Sequence, residues 1–131
     1  MSKITKPRTS KALATFCDKM AAEKIAEKIN IIDLQEIENA TTNFFVLCST
    51  DSTNQSQAIL DILMRQAKKI GIPKPKVEGE TSADWILIDF FDVVFHIMLK
   101  PIREYYNIEE LWSEGILYEY NVETERLNKV K

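Results

Sequence analysis

The stretch that most limits how this chain can fold is residues 78–100, EGETSADWILIDFFDVVFHIMLK. Residues 85–90 and 93–99 are apolar runs rich in branched and aromatic side chains, and Asp89, Phe90, Phe91 and Asp92 lie at their junction. That pattern predicts two β-strands joined by a tight turn. With Phe90 and Phe91 as the loop residues, Ile88 opposes Val93, Leu87 opposes Val94, Ile86 opposes Phe95 and Trp85 opposes His96. Opposed residues share a face and successive residues alternate. One face then carries Ile86, Ile88, Val93, Phe95 and Ile97, and the other Trp85, Leu87, Val94, His96 and Met98. A half-exposed antiparallel hairpin alternates apolar and polar. Here both faces are apolar, so each needs cover, from the chain itself or from something else.

The rest of the chain supplies cover for one face. Residues 1–10 read as a flexible basic tail. From Lys11 the apolar spacing turns helical, through Leu13, Phe16, Met20, Ile25 and Ile29, with a strong helix-former run AAEKIAEKI. Residues 30–37 and 43–49 are strands, the second apolar almost throughout, as in a strand covered on both sides. Ser52 or Thr53 is suited to cap a helix over 55–70, which Gly71 ends and Pro73 keeps from resuming. Val77 and Glu78 form a brief edge strand before the hairpin. Residues 102–106 and 108–112 are short helical turns. Ile116, Leu117, Tyr118 and Val122 in the tail suffice for a further turn or strand.

The expected order is α-β-β-α-β-β-β followed by short α. This is a mixed α/β domain, a mixed sheet of about five strands with two long helices on one face. We expect a domain over 11–115, flanked by the tail 1–10 and a C-terminal extension 116–131. Two helices cover only one face of such a sheet. The face bearing Trp85 is therefore expected to be open to solvent or to a partner.

At 131 residues the chain is long enough for one domain with a real core. Its net charge of −3 disfavours a protein that neutralises nucleic-acid phosphates over its whole surface. No apolar run approaches the length of a membrane span. The start, MSKITKPRTSKALATF, has no long apolar segment after its basic residues and so is no secretory signal. A disordered tail suits it better than a transit peptide. Cys17 and Cys48 make neither a disulfide scaffold nor a zinc site and are expected as reduced, partly buried thiols of a cytoplasmic protein.

Two kinds of chemistry come into question for these residue types. A Cys48–His96 nucleophile and base lacks any third group to orient the imidazole. Glu78, Glu80, Asp84, Asp89, Asp92 and His96 would make a metal-dependent nucleotidyl or phosphoryl transferase only if two or three carboxylates converged. The Gly-Ser turn and Asp-x-Asp pair of nucleotidyltransferases are missing, and Asp89 and Asp92 read as solvated turn residues. No catalytic residue, metal or cofactor is expected. An exposed patch of Trp, Leu, Val and Met instead marks a contact, with Trp as a frequent anchor.

Four fragments, in this order and spacing, carry a resemblance: NFFVLCS with Gln55 and a helix after it, EGETSADWILIDF, DVVFHIM and REYYNIEELW. Over residues 14–112 the chain resembles the ribosomal silencing factor family (RsfS, or Iojap-like). The resemblance implies a nucleotidyltransferase-like fold without its catalytic groups. It implies binding to the large ribosomal subunit through its universal ribosomal protein number fourteen, beside the subunit interface. The bound factor would block the small subunit and repress translation when nutrients are short. Organelle relatives imply an alternative, large-subunit assembly.

The family's partner-binding Trp falls on Trp85, with Leu87, Val94, His96 and Met98 as its expected neighbours in the contact. Asp89, Tyr105 and Tyr106 are expected at the rim, and Leu111 and Trp112 complete the closing motif. Two positions depart from the family, Thr50 and Phe91, where Gly is usual. Phe disfavours the positive φ of a primed turn. The apolar face leaves open a homodimer in the free protein, and the basic N-terminus with Lys74 and Lys76 leaves open a minor contact with ribosomal RNA.

Overall fold

A computed structural model describes residues 5–130. The elements are α1 (Ser10–Glu23), β1 (Glu27–Asp33), β2 (Phe44–Thr50), α2 (Thr53–Lys69), β3 (Lys76–Glu78), β4 (Trp85–Asp89), β5 (Val93–Leu99), α3 (Lys100–Tyr106), α4 (Ile108–Leu111), β6 (Ile116–Asn121) and β7 (Arg126–Lys129). Seven strands, not about five, form one mixed sheet in the order β3-β4-β5-β2-β1-β6-β7. Only β2 and β5 pair in parallel. The segment expected as an extension supplies β6 and β7, and thereby one sheet edge. The first four residues of the expected basic tail lie outside the described residues.

The first helix is shorter than the helix-former run suggests. It ends at Glu23, and Ile25 takes a φ of 61°. Ala26 N–H donates to Ala21 O and Ile25 N–H to Ala22 O, a helix-ending motif that usually has Gly where Ile25 stands. The Gln55 amide donates to the Lys24 and Ile25 carbonyls and holds this turn against the start of α2. The second half of the run is thereby released into β1, which starts three residues earlier than the expected strand and ends four earlier. The end of α2 uses the same pattern with Gly71 at φ 85°. Its start is capped by the Ser52 hydroxyl, which accepts from Gln55 N–H.

The hairpin register differs from the expected one by two residues. Trp85 opposes Met98, Leu87 opposes His96 and Asp89 opposes Val94. Phe90 N–H donates to Val93 O at 2.8 Å, so the loop residues are Phe91 and Asp92. Phe91 alone adopts positive φ there, 78°, as the first loop residue of a II′ turn does. Its N–H bonds the Asp89 carboxylate at 2.7 Å, and its carbonyl accepts from the Thr42 hydroxyl at 2.9 Å. Because side chains repeat every two residues, an even shift leaves both faces as assigned, where a one-residue slip would have exchanged them.

The helices α1 and α2 cover one face. Phe44, Val46, Cys48, Ile86, Ile88, Val93, Phe95 and Ile97 pack against them in the main core. The other face is not bare, as the count of two long helices had implied. Ile32, Leu34, Leu47 and Met98 form a second core with Ile108 of α4, flanked by Ile102, Trp112, Ile37 and Ala40. Short helices cover the centre of this face and leave its hairpin end half-open.

Candidate functional interface

The half-open end is built around Trp85, the first residue of β4. Its position depends on Gly79, whose φ is 80° and where a β-carbon would lie 2.1 Å from the Trp85 carbonyl oxygen. No other residue lets the loop pass so close to the strand. Trp85 is half-buried, and its indole N–H donates to His96 Nδ1 at 3.1 Å. That bond requires Nδ1 to be unprotonated, so the proton of the neutral ring sits on Nε2. Among the described residues Nε2 has no partner, and His96 is only 5% exposed. Burial, followed by the charge of Arg103, lowers the His96 pKa to about 4, with Glu109 opposing. At neutral pH the ring is therefore an acceptor. Protonating Nδ1 would set two donors against each other and release the indole.

An aromatic ladder runs outward from this pair. Trp112 packs edge-on against Phe45 at 5.5 Å between ring centroids, and Phe45 edge-on against His96 at 4.8 Å. Trp85 lies 4.9 Å from Tyr106, which lies 5.0 Å from Tyr105. The inner members are buried or half-buried, whereas Tyr106 is 50% and Tyr105 81% exposed. Leu87 and Val94, half-buried, are placed on the same face by the register. The candidate interface thus has two parts. Trp85, Leu87 and Val94 with the two tyrosines reach the surface. His96 and Met98 lie buried behind them, one bonding the anchor and the other flooring the second core. Asp89 is committed to the turn through Phe91.

Behind the ladder sits a polar group that the sequence reading did not single out. Arg103 of α3 is buried and donates to the Ser49 hydroxyl at 3.1 Å, to the Lys28 carbonyl, and to the Glu109 carboxylate at 2.6 Å. Asn30 also donates to Glu109, at 3.1 Å. The Lys28 carbonyl is available because β1 carries an extra residue between Glu27 and Asn30, a bulge with Lys28 at φ 48°. Burial pushes the Glu109 carboxyl upward, but its bonds to Arg103 outweigh that and hold it below its ordinary value. This group ties α3 and α4 to the sheet and so sets where Tyr105 and Tyr106 project. The available signal was an Arg directly after the Lys-Pro-Ile that ends the hairpin, six residues before a Glu.

The other chemistry weighed from the sequence is not assembled. Cys48 opposes Ile97 and belongs to the helix-covered core, while His96 opposes Leu47 and faces the other way. Burial raises the Cys48 thiol to about 12, far from a thiolate at neutral pH. Among the described residues no three His, Cys, Asp or Glu side chains converge as a metal would require. Among the described residues no helix is long and apolar enough to cross a membrane.

The family model described as ribosomal silencing factor during starvation matches residues 7–131. The chain is 38% identical over 107 residues to the ribosomal silencing factor RsfS of Bacillus subtilis, covering 82% of this chain and 86% of the relative. It is 36% identical over 75 residues to the mouse mitochondrial assembly of ribosomal large subunit protein 1, covering 55% of this chain and 33% of that protein. A crystal structure of a Chromobacterium violaceum protein superposes with a TM-score of 0.75 at 26% identity, covering 80% of this chain and 87% of the other. With a family model spanning nearly the whole chain, this protein belongs to the ribosomal silencing factor family.

Proposed function

We propose that this chain represses translation in the cytoplasm by occupying the large ribosomal subunit where the small subunit must dock. Its hairpin-end face grips the universal ribosomal protein number fourteen, and the body of the domain excludes the small subunit. The observation that carries this reading is Trp85, a half-exposed indole whose polar N–H is already satisfied inside the chain by His96. What it offers a partner is an oriented apolar ring, flanked by Leu87, Val94, Tyr105 and Tyr106. Such an anchor binds without first losing side-chain freedom. His96 and Met98 act from behind, by positioning and by filling, and Asp89 shapes the adjoining turn. Silencing by occupancy requires no catalytic residue and no cofactor.

Light scattering from mixed, purified ribosomal subunits tests the reading. Adding the protein should lower the yield of joined ribosomes, and the protein should sediment with the large subunit. A second reading, large-subunit assembly, draws support from the mouse relative's name. Co-sedimentation with undiminished subunit joining would favour that second role. Failure to sediment with large subunits would end both.

A further inference from the structure

Charge around Trp85 is nearly all of one sign. Residues 29–64 and residues 77–99 hold five acids each and no Lys or Arg. The fold brings five of these acids to the rim of the half-open end. Glu78 opposes Leu87 across the β3–β4 pair and so shares its face. Asp89 follows on the same face of β4, and Asp92 is exposed in the adjoining turn. The loop between β1 and β2 packs Ile37 and Ala40 beside Phe45 in the second core. Its Thr42 and Asn43 bond the Phe91 and Asp92 carbonyls, which fixes the loop at the turn with Glu36 and Glu38 exposed on it. Cations at this rim are few. Lys100 is held by Glu27 and Asp51, and Arg103 by Glu109. Lys76, opposite Asp89, is the rim's one cation outside an ion pair among the described residues. Other cations lie elsewhere. Lys74 lines a groove with Met64 and Ala67 of α2, Arg8 a hollow with Phe16 of α1, and Lys11 lies over Tyr118 of the main core, all on the helix side. Lys28 sits in the β1 bulge and Arg126 on the far edge strand β7.

We propose that this acidic rim is matched by a rim of Lys and Arg on the protein partner, around the recess that takes Trp85, and that it steers the two together. The inference rests on the protein contact proposed above and adds the chemistry of the partner's surface and the order of events. Trp85, Leu87 and Val94 are half-buried apolar side chains at the centre of the face, and contacts of that kind set how long a complex lasts. Glu36, Glu38, Glu78 and Asp92 are exposed around them, where charge governs the rate and orientation of encounter. With five carboxylates against Lys76, the rim attracts a basic protein surface and is repelled by phosphate. On a large subunit a protein site is surrounded by RNA, so the same charges keep the Trp85 face from settling on a nucleic-acid backbone. Attraction to the right surface and repulsion from the commoner one together give specificity.

The test is stopped-flow association of the full, N-terminally labelled chain with purified large subunits, with dissociation followed by an unlabelled chase. Glu36→Lys combined with Glu38→Lys should slow association at least about fivefold and change dissociation less than about twofold. Neither carboxylate is in an ion pair among the described residues, and circular dichroism confirms that the variant is folded. Lys76→Glu should act in the opposite sense and quicken association about twofold. Trp85→Ala should instead raise the dissociation rate, which separates the anchor from the rim. Faster association of the double variant would mean that the rim meets phosphate and would overturn the inference, as would a folded double variant that associates at the parent's rate. In both cases the protein contact itself would stand. A parent that does not bind large subunits would end that contact and this inference with it.

Discussion

The two faces of the sheet are both apolar in sequence but are built for different ends. Under α1 and α2 the side chains are mostly aliphatic with a few phenylalanines, and Phe95, Ile86, Ile88 and Ile97 are wholly buried. On the other face the covering helices are short, a small aliphatic core is flanked by half-buried aromatic rings, and a largely buried ion pair ties the helices down. Close packing over long helices gives stability with nothing left to bind. A ladder of rings pinned by hydrogen bonds keeps its outer members exposed in a fixed orientation. Each face also buries one unpartnered titratable side chain. Asp18 of α1 has both carboxylate oxygens without partners among the described residues, and His96 has Nε2.

The sharpest way to break the comparison is Arg103→Ala. It would leave the Ser49 hydroxyl and the Lys28 carbonyl without this donor and the Glu109 carboxylate with Asn30 alone. Removing one partner of a buried pair costs about 3–5 kcal/mol. We expect a large fall in the urea midpoint together with loss of large-subunit binding, since α3 carries both tyrosines. A change below about 1 kcal/mol would mean that the open face is held by its rings alone.

Acid and base should act on the two faces in opposite directions. The folded-state pKa of His96, about 4, lies below its ordinary value near 6.5, so the unfolded chain binds more protons between these values. Stability contributed by this site is therefore present above pH 6.5 and lost as pH falls toward 4, a change of about 3 kcal/mol. Asp18 runs the other way. Burial holds its carboxyl well above the ordinary carboxylate range, so the folded chain keeps a proton that the unfolded chain gives up. Its contribution is present below that range and is lost as pH rises from it through the raised folded value. Asp18→Asn should stabilise the protein at neutral pH by about 1–3 kcal/mol. His96→Phe should flatten the acid limb of the stability profile, read by thermal melts across pH, while changing the setting of Trp85. If both variants leave the pH profile as it was, neither group is buried as described.

A smaller effect concerns the turn that joins β4 to β5. Phe91 is 79% exposed and sits at positive φ, where a side chain is strained. Phe91→Gly should relieve that strain and raise stability by about 1 kcal/mol in urea titrations, leaving subunit binding intact. A loss of binding would place Phe91 in the contact.

Much of this was legible in the sequence, for identifiable reasons. Period-two alternation carried the two hairpin faces even though the register was off by two, because an even error is invisible to alternation. The capping chemistry of Ser52 and Gly71 marked both ends of α2. The end of α1 was not legible. AAEKIAEKI is helical by propensity, and it turns at Ile25 only because Gln55, thirty residues on, bonds the carbonyls at that turn. The cover over the second face was missed because α3 and α4 are too short to show a long apolar stripe. Their packing depends on Arg103, whose partners lie far apart in sequence. Tyr105 and Tyr106 were placed at the rim by resemblance alone; their position beside Trp85 is a product of the fold.

In the proposed function, Trp85 anchors the protein to the large subunit. The most direct measurement is the affinity of purified large subunits for the parent and for Trp85→Ala, by quantitative co-sedimentation, with circular dichroism confirming that the variant is folded. We predict a loss of about 2 kcal/mol or more, roughly thirtyfold in Kd. A folded Trp85→Ala variant that sediments with large subunits at the parent's affinity would contradict it.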